Sequence, residues 1–259
     1  MERRIVATPA LVKDYFSLFV NRRAYTVQSF RPHPESGRHY YYRPTERGSD
    51  GALQLNEKTI SDHLEGKITI GLYAINPSNQ CCKWVAIDAD YTNAMEDLIK
   101  LQYQLTREGV DSALEMSKRG GHLWIFLAVP LLARKWRIYI YDLAGRLGVP
   151  VKGSGLAEGI EVFPKHDAIA SGAFGNALRG PLGIHRGAQR RFWFYGPTTP
   201  STHKCNSSSV SARWLRMNWR ALLLEKNGLS MSVRPDPRPN LGESRELRRM
   251  GRGFAFLTT

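Results

Sequence analysis

Apolar residues run through this sequence in two rhythms, one helical and one strand-like. Leu11, Tyr15, Phe16, Leu18 and Phe19 give residues 8–20 an apolar helical side, with Thr8 as a cap and Pro9 suited to the first turn. Residues 21–55 are rich in Arg, Tyr, Gly and Pro and read as a long basic, aromatic connection holding one strand. A short helix is expected over 59–65, begun by Thr59 or Ser61 and stopped at Gly66. The pattern then tightens. ITIGLYAI (68–75) reads as a strand, and KWVAIDAD (83–90) as a buried strand ending in two carboxylates. Met95, Leu98, Leu101 and Leu105 mark a helix over 92–109 that Gly109 closes. SALEMS (112–117) and HLWIFLAV (122–129) read as strands joined by a K-R-G-G turn. A second long helix is expected over 131–148 and a strand over 159–164. Residues 175–186 and 190–196 supply one or two more strands.

Strands alternating with helices around a hairpin predict an α+β or α/β core with a mixed sheet. After residue 200 the texture changes. Residues 211–228 read as a helix, with Arg213, Trp214, Arg216, Trp219 and Arg220 close together, and a Pro- and Arg-rich stretch follows. That helix either docks its Trp and Leu residues on the core or offers a basic, aromatic face to a single strand. No internal repeat is visible.

The 259 residues fit one large domain or two small ones, and 42% hydrophobic content is enough for a core. No apolar run reaches the roughly 18–20 residues of a membrane span. The N-terminus lacks a secretory pattern, so neither a membrane nor a secreted protein is expected. Cys81, Cys82 and Cys205 make a poor disulfide framework and contain no C-x-x-C, which points to a reducing, cytoplasmic setting. Lys and Arg outnumber Asp and Glu by 37 to 23, a net charge of +14, and half of that excess lies beyond residue 200. Such a balance suits a polyanionic partner, nucleic acid before an anionic membrane.

Four features carry candidate chemistry. Asp88 and Asp90 sit two apart at a strand end, where both side chains share a face. Two carboxylates there repel unless a cation lies between them, and hard Mg²⁺ or Mn²⁺ suits the donors. Taken alone, the pair equally describes solvated strand-end aspartates. Glu161 alternates with Ile160 and Val162, so it is either an exposed strand residue or a carboxylate with a partner. Ser117, Lys118, Arg119 and His122 surround Gly120 and Gly121 in a donor-rich turn that is a phosphate cradle or an ordinary hairpin. Asn176, Arg179, His185 and Arg186 follow a Gly-rich loop, in a segment able to contact phosphate or simply to form a basic surface strand.

The order of these features is more specific than any one of them. D-x-D, then S-x4-H, then E-V-F-P-K, then G-N-x-L-R-G-P-L-G-x-H-R resembles the archaeo-eukaryotic primase superfamily. The likeness is closest to the primase-polymerase branch of CRISPR-associated and mobile-element proteins. YFSLFVNRRAY (15–25), ISDHLEGKITIGLYAI (60–75) and WVAIDAD (84–90) are similar to the approach to its first motif, and the likeness runs from about residue 10 to 195.

The resemblance implies an RRM-like catalytic sheet packed with an N-terminal α/β unit. It divides the chain into a catalytic domain over 1–200 (N-terminal unit to about 80, core from 81) and a basic tail over 201–259. It implies a nucleotidyl transferase that makes or extends RNA or DNA primers on single-stranded DNA. Asp88, Asp90 and Glu161 would be the catalytic ligands of two Mg²⁺ or Mn²⁺ ions. Ser117 and His122, with Lys118 and Arg119, would hold the phosphates of an NTP or dNTP. Arg179, His185 and Arg186 would lie near the nucleotide or template. Arg22, Arg23, Lys165, Arg190 and Arg191 would contact nucleic acid; in the motif around Arg22 and Arg23, Asn21 replaces a Gly and Ala24 an acidic residue. A helicase or CRISPR- and mobile-element proteins are the expected protein partners. A non-catalytic nucleic-acid-binding module of the same fold, or a metal-dependent nuclease, are the alternatives.

Overall fold

The computed structural model describes residues 4–45 and 51–195. In chain order they form α1 (Pro9–Phe19), β1 (Tyr25–Gln28), β2 (Tyr41–Tyr42), α2 (Glu57–Leu64), β3 (Ile70–Tyr73) and β4 (Cys81–Ala89). There follow α3 (Ala94–Arg107), β5 (Ser112–Met116), β6 (Gly121–Leu132), α4 (Ala133–Leu147) and β7 (Glu161–Phe163). The last strands are β8 (Ala177–Arg179), β9 (Ile184–His185), β10 (Arg190–Arg191) and β11 (Phe194–Tyr195). The expected helix over 211–228 and its Trp and Arg residues lie outside the described residues.

The run β4-α3-β5-β6-α4-β7 builds a sheet in the order β5-β6-β4-β7, extended by β11 beyond β5. This is the split βαβ arrangement of an RRM-like domain, and all of its ladders are antiparallel. Antiparallel pairing throughout follows from the topology. Each helical crossover returns its strand parallel to the one before, and a strand of opposite direction is inserted between them. A parallel pairing survives only as the isolated bridge Val151–Ile160 among the described residues.

Strand alternation gives this sheet two different faces. Val85, Ile87 and Ala89 of β4, with Leu123, Ile125 and Leu127 of β6, pack against Leu98, Leu101 and Leu105 of α3 and Ile140 and Leu143 of α4. The opposite face carries Trp84 and Trp124, both fully buried. There α1 closes the sheet. The Phe19 ring meets Trp124 edge-on at 5.4 Å, and Trp84 Nε1–H donates to the Phe19 carbonyl at 2.9 Å.

The N-terminal unit is a second antiparallel sheet in the order β2-β1-β3-β8. Its fourth strand, β8, comes from the segment expected to complete the core. Capping defines its helices: Thr8 Oγ1 accepts from Leu11 N–H at 3.3 Å, and Asn56 Oδ1 from Thr59 N–H at 2.9 Å. Beyond β8 the Pro181 carbonyl accepts from Tyr15 of α1 at 3.2 Å and from His63 of α2 at 3.0 Å. Ile70 N–H donates to His63 Nδ1, so the ring is neutral, and burial presses its pKa down to about 4. Among the described residues no helix is long and apolar enough to cross a membrane.

Candidate active site

A row of side chains crosses the β5-β6-β4-β7 sheet on the face that α1 closes. Glu115 of β5 pairs with His122 of β6, His122 with Asp88 of β4, and Asp88 with Glu161 of β7. Register alone therefore brings three carboxylates and an imidazole to one line, because cross-strand partners lie on the same face. Asp88 and Glu161, 73 residues apart in sequence, become direct neighbours.

Glu115 is the best-held member and was not singled out by sequence. Its side chain is sealed from water and accepts from His122 Nδ1 at 2.9 Å, Trp124 Nε1 at 3.0 Å and Arg179 Nη2 at 2.6 Å. Burial works to raise its carboxyl pKa, but Arg179 and His122 outweigh it and keep the group ionised. A signal for it was present. Counting outward from the turn 117–120 pairs residue 115 with 122 directly, and a carboxylate inside an apolar strand needs a partner.

His122 lies between two carboxylates. Burial pushes its pKa down, and Asp88 and Glu115 more than reverse this, taking it up to about 9. The ring is then an imidazolium at neutral pH. Its Nε2 lies 3.3 Å from Asp88 Oδ1, close enough for charge attraction but without hydrogen-bond alignment, so Oδ1 is buried with no hydrogen-bond partner.

Asp90 follows the end of β4 and faces the K-R-G-G turn. It accepts from Ser117 Oγ at 3.0 Å and Arg119 Nη2 at 2.7 Å. Burial acts to raise its pKa, and those two donors bring it below the usual carboxylate range. Ser117 Oγ also accepts from Gly120 N–H at 3.1 Å, which closes the turn. A Cβ at Gly120 would overlap the Ala89 carbonyl oxygen, so glycine is required where the turn crosses β4. Glu161, half-buried, holds Lys165 at 2.8 Å and Lys152 at 3.4 Å, and these cations lower its pKa against the opposing effect of burial.

The structure thus gathers Asp88, Asp90, Ser117, Arg119, His122, Glu161 and Lys165, with Lys118 exposed on the same turn. The other candidates land elsewhere. Arg179 spends its charge on Glu115 and also donates to the Gly180 carbonyl at 3.2 Å. Arg186 is buried and donates to the Gly66 and Lys67 carbonyls at 2.9 and 2.7 Å. His185 takes a hydrogen bond from Ala188 N–H at 3.0 Å, and burial, aided by the charges of Arg179 and Lys118, lowers its pKa to about 4. Buried Arg191 bonds the Leu182 carbonyl, whereas Arg190 is exposed beside the Phe192 ring.

Arg22 and Arg23 join Arg43 and Phe174 around a cavity of about 480 Å³. Its lining residue Asn21 donates to the Cys81 carbonyl at the start of β4. Asp88 lies seven residues further along that strand, about 23 Å away at the usual rise, so this cavity is separate from the carboxylate row.

The oxygen donors fit a hard divalent cation. Asp88 Oδ1 is buried and makes no aligned hydrogen bond, its nearest cation being His122 Nε2 at 3.3 Å, and Asp90 and Glu161 flank it. Among the described residues no three His, Cys, Asp or Glu side chains are gathered into a finished cage. Arg119 instead holds one oxygen of Asp90, and Lys165 and Lys152 share one oxygen of Glu161.

Residues 18–205 match the family described as the archaeo-eukaryotic primase domain of the TOTE conflict system. The chain belongs to that family. The matched span begins inside α1 and runs past β11, so both sheets and the whole carboxylate row of this primase domain fall within it. A solved structure of the polymerase domain from Mycobacterium tuberculosis Ligase D in complex with DNA is also similar. It is 13% identical, over 69% of this chain and 77% of that one, with a TM-score of 0.39. No curated protein matches the chain.

Proposed function

We propose that this primase domain is a template-directed nucleotidyl transferase that makes or extends primers on single-stranded DNA from NTPs or dNTPs. The observation that carries this reading is the Glu115–His122–Asp88–Glu161 row, with Asp90 and Ser117 at its edge. Asp88, Asp90 and Glu161 would hold two Mg²⁺ or Mn²⁺ ions. Bound there, the ions would lower the pKa of the attacking 3′-hydroxyl and neutralise charge growing on the triphosphate.

The chain's own residues supply the rest. His122, fixed by Glu115, presents a positive imidazolium to a phosphate. Ser117 and the exposed Lys118 and Arg119 add donors on a turn that glycine holds tight against β4. Catalysis then rests on positioning and charge stabilisation. A nuclease has no comparable need for this cationic turn on a triphosphate, which favours the polymerase reading.

Primer synthesis on unprimed single-stranded DNA, with Mn²⁺ or Mg²⁺ and with NTPs and dNTPs supplied separately, tests the proposal. Product from the wild type and none from folded Asp88→Ala/Asp90→Ala is the expected result. Absence of product from a wild type that still binds template would overturn it in favour of a binding module.

A further inference from the structure

The segment between β1 and β2 is a hairpin that the primase reading leaves without a task. Ser29 N–H donates to the Tyr40 carbonyl and His33 N–H to the Arg38 carbonyl, so residues 29–40 fold back on themselves as an ordered arm. The arm is basic and aromatic, with exposed Arg31 and Arg38 and an exposed Phe30 ring. Phe30 is 74% accessible.

One face of that ring is prepared. The Arg186 guanidinium lies 5.1 Å from its centroid and is itself pinned by the Gly66 and Lys67 carbonyls. Arg186 N–H also donates to Gln28 Oε1 at 3.1 Å, which ties the arm's base to the same segment. A buried, anchored cation thus backs a ring whose other face is open to water. Such a pair is a stacking platform, because a fixed ring loses little freedom when a planar group lands on it.

Phe30 is not isolated. His39, held by the Ser29 carbonyl at 2.8 Å, passes beside Gly187 and His185. Tyr41, two residues on in β2, is 40% accessible and lies against Gly71, whose ladder partner Arg179 bonds Glu115. His185 in turn senses Lys118 on the K-R-G-G turn. The rings therefore begin beside the carboxylate row and lead away from it, with cations alongside.

We propose that Tyr41, His39 and Phe30 form a track on which the bases of single-stranded nucleic acid stack as the strand leaves the carboxylate centre. The inference rests on the primase reading and adds to it the surface and the chemistry of strand binding. Because every base has a π-face, such a track tolerates any sequence, which is what copying an arbitrary template requires.

Fluorescence anisotropy on the full chain tests it, comparing a short oligo-dT strand with an abasic strand of equal length. The wild type should prefer the base-bearing strand by about tenfold or more, the size expected of one or more stacked bases. Phe30→Leu keeps apolar bulk without a π-face. It should cut that preference about tenfold, leave the abasic affinity unchanged and melt with the wild type, while Phe30→Trp should retain the preference. Equal loss of both strands, or an undiminished preference in Phe30→Leu, would overturn the track and leave the primase reading standing. A wild type that binds neither strand would remove the primase reading, and the track with it.

Discussion

Glu115 Oε1 and Arg179 Nη2 meet at 2.6 Å with both side chains closed off from water. One belongs to the five-stranded sheet and the other to the N-terminal sheet, so the ion pair fastens the two together. Its geometry determines its worth. A buried pair contributes little over a well-packed apolar pair, yet removing one partner strands a charge. Glu115→Ala should therefore lower the unfolding free energy by about 3–5 kcal/mol in urea titrations. Glu115→Leu combined with Arg179→Met should recover part of that loss. Full stability in Glu115→Ala would show that the pair is not buried as described.

Stability should peak near pH 6.5 when divalent cations are absent. The His122 pKa, raised to about 9 from 6.5, means that its contribution is complete below 6.5 and is lost as the pH climbs through 9. His63 and His185, lowered to about 4, act the other way. As the pH falls below 6.5 the unfolded chain takes up protons that these buried rings refuse, and stability declines. The lowered carboxyls of Glu115, Asp90 and Glu161 steepen that acid limb. Melting temperature measured from pH 4 to 9 checks the shape, and His122→Gln should flatten the alkaline side and, by removing a cation that lowers Glu115 and Asp90, soften the acid limb as well.

The K-R-G-G turn has no room for a side chain. Gly120→Ala would drive a methyl group into the Ala89 carbonyl, one residue from Asp90. A loss of about 1–3 kcal/mol in stability is expected, together with a raised KM for nucleotide as Ser117 shifts. A variant with wild-type stability and KM would mean that the turn moves freely.

Lysine would compete with a divalent cation bound at Glu161. Lys165→Ala removes the nearer of the two lysines that share one Glu161 oxygen, at a half-exposed site where an ion pair of this kind is worth up to about 1 kcal/mol. Mn²⁺ affinity, read by calorimetry, should rise up to about fivefold. An unchanged or weaker affinity would place Glu161 outside the metal site.

Much of this arrangement was legible from sequence because it follows from local pattern. Apolar runs and three- and four-residue spacing located β4, α3, β5, β6 and α4 closely, and Gly109 and Gly148 mark where the helices stop. What was not legible depends on register and on contacts between distant segments. Arg179 reads as a free cation in G-N-A-L-R-G, and only the return of β8 to the N-terminal sheet turns it toward Glu115. Arg186 likewise reads as a surface residue until the Gly66 and Lys67 carbonyls are found around it. Asp88 and Glu161 could be named separately, whereas their adjacency needed the pairing of β4 with β7.

Asp88 and Glu161 are set on paired strands, and the groups that face Asp90 and Glu161 sit on loops and a turn. Arg119, Lys152 and Lys165 can leave without disturbing a ladder, while the carboxylates cannot. The centre is therefore built like an ion-exchange resin, with fixed anions and mobile counter-ions. A divalent cation arriving there would substitute for charge already present, so the electrostatic field felt by an approaching strand would change little between the empty and loaded states.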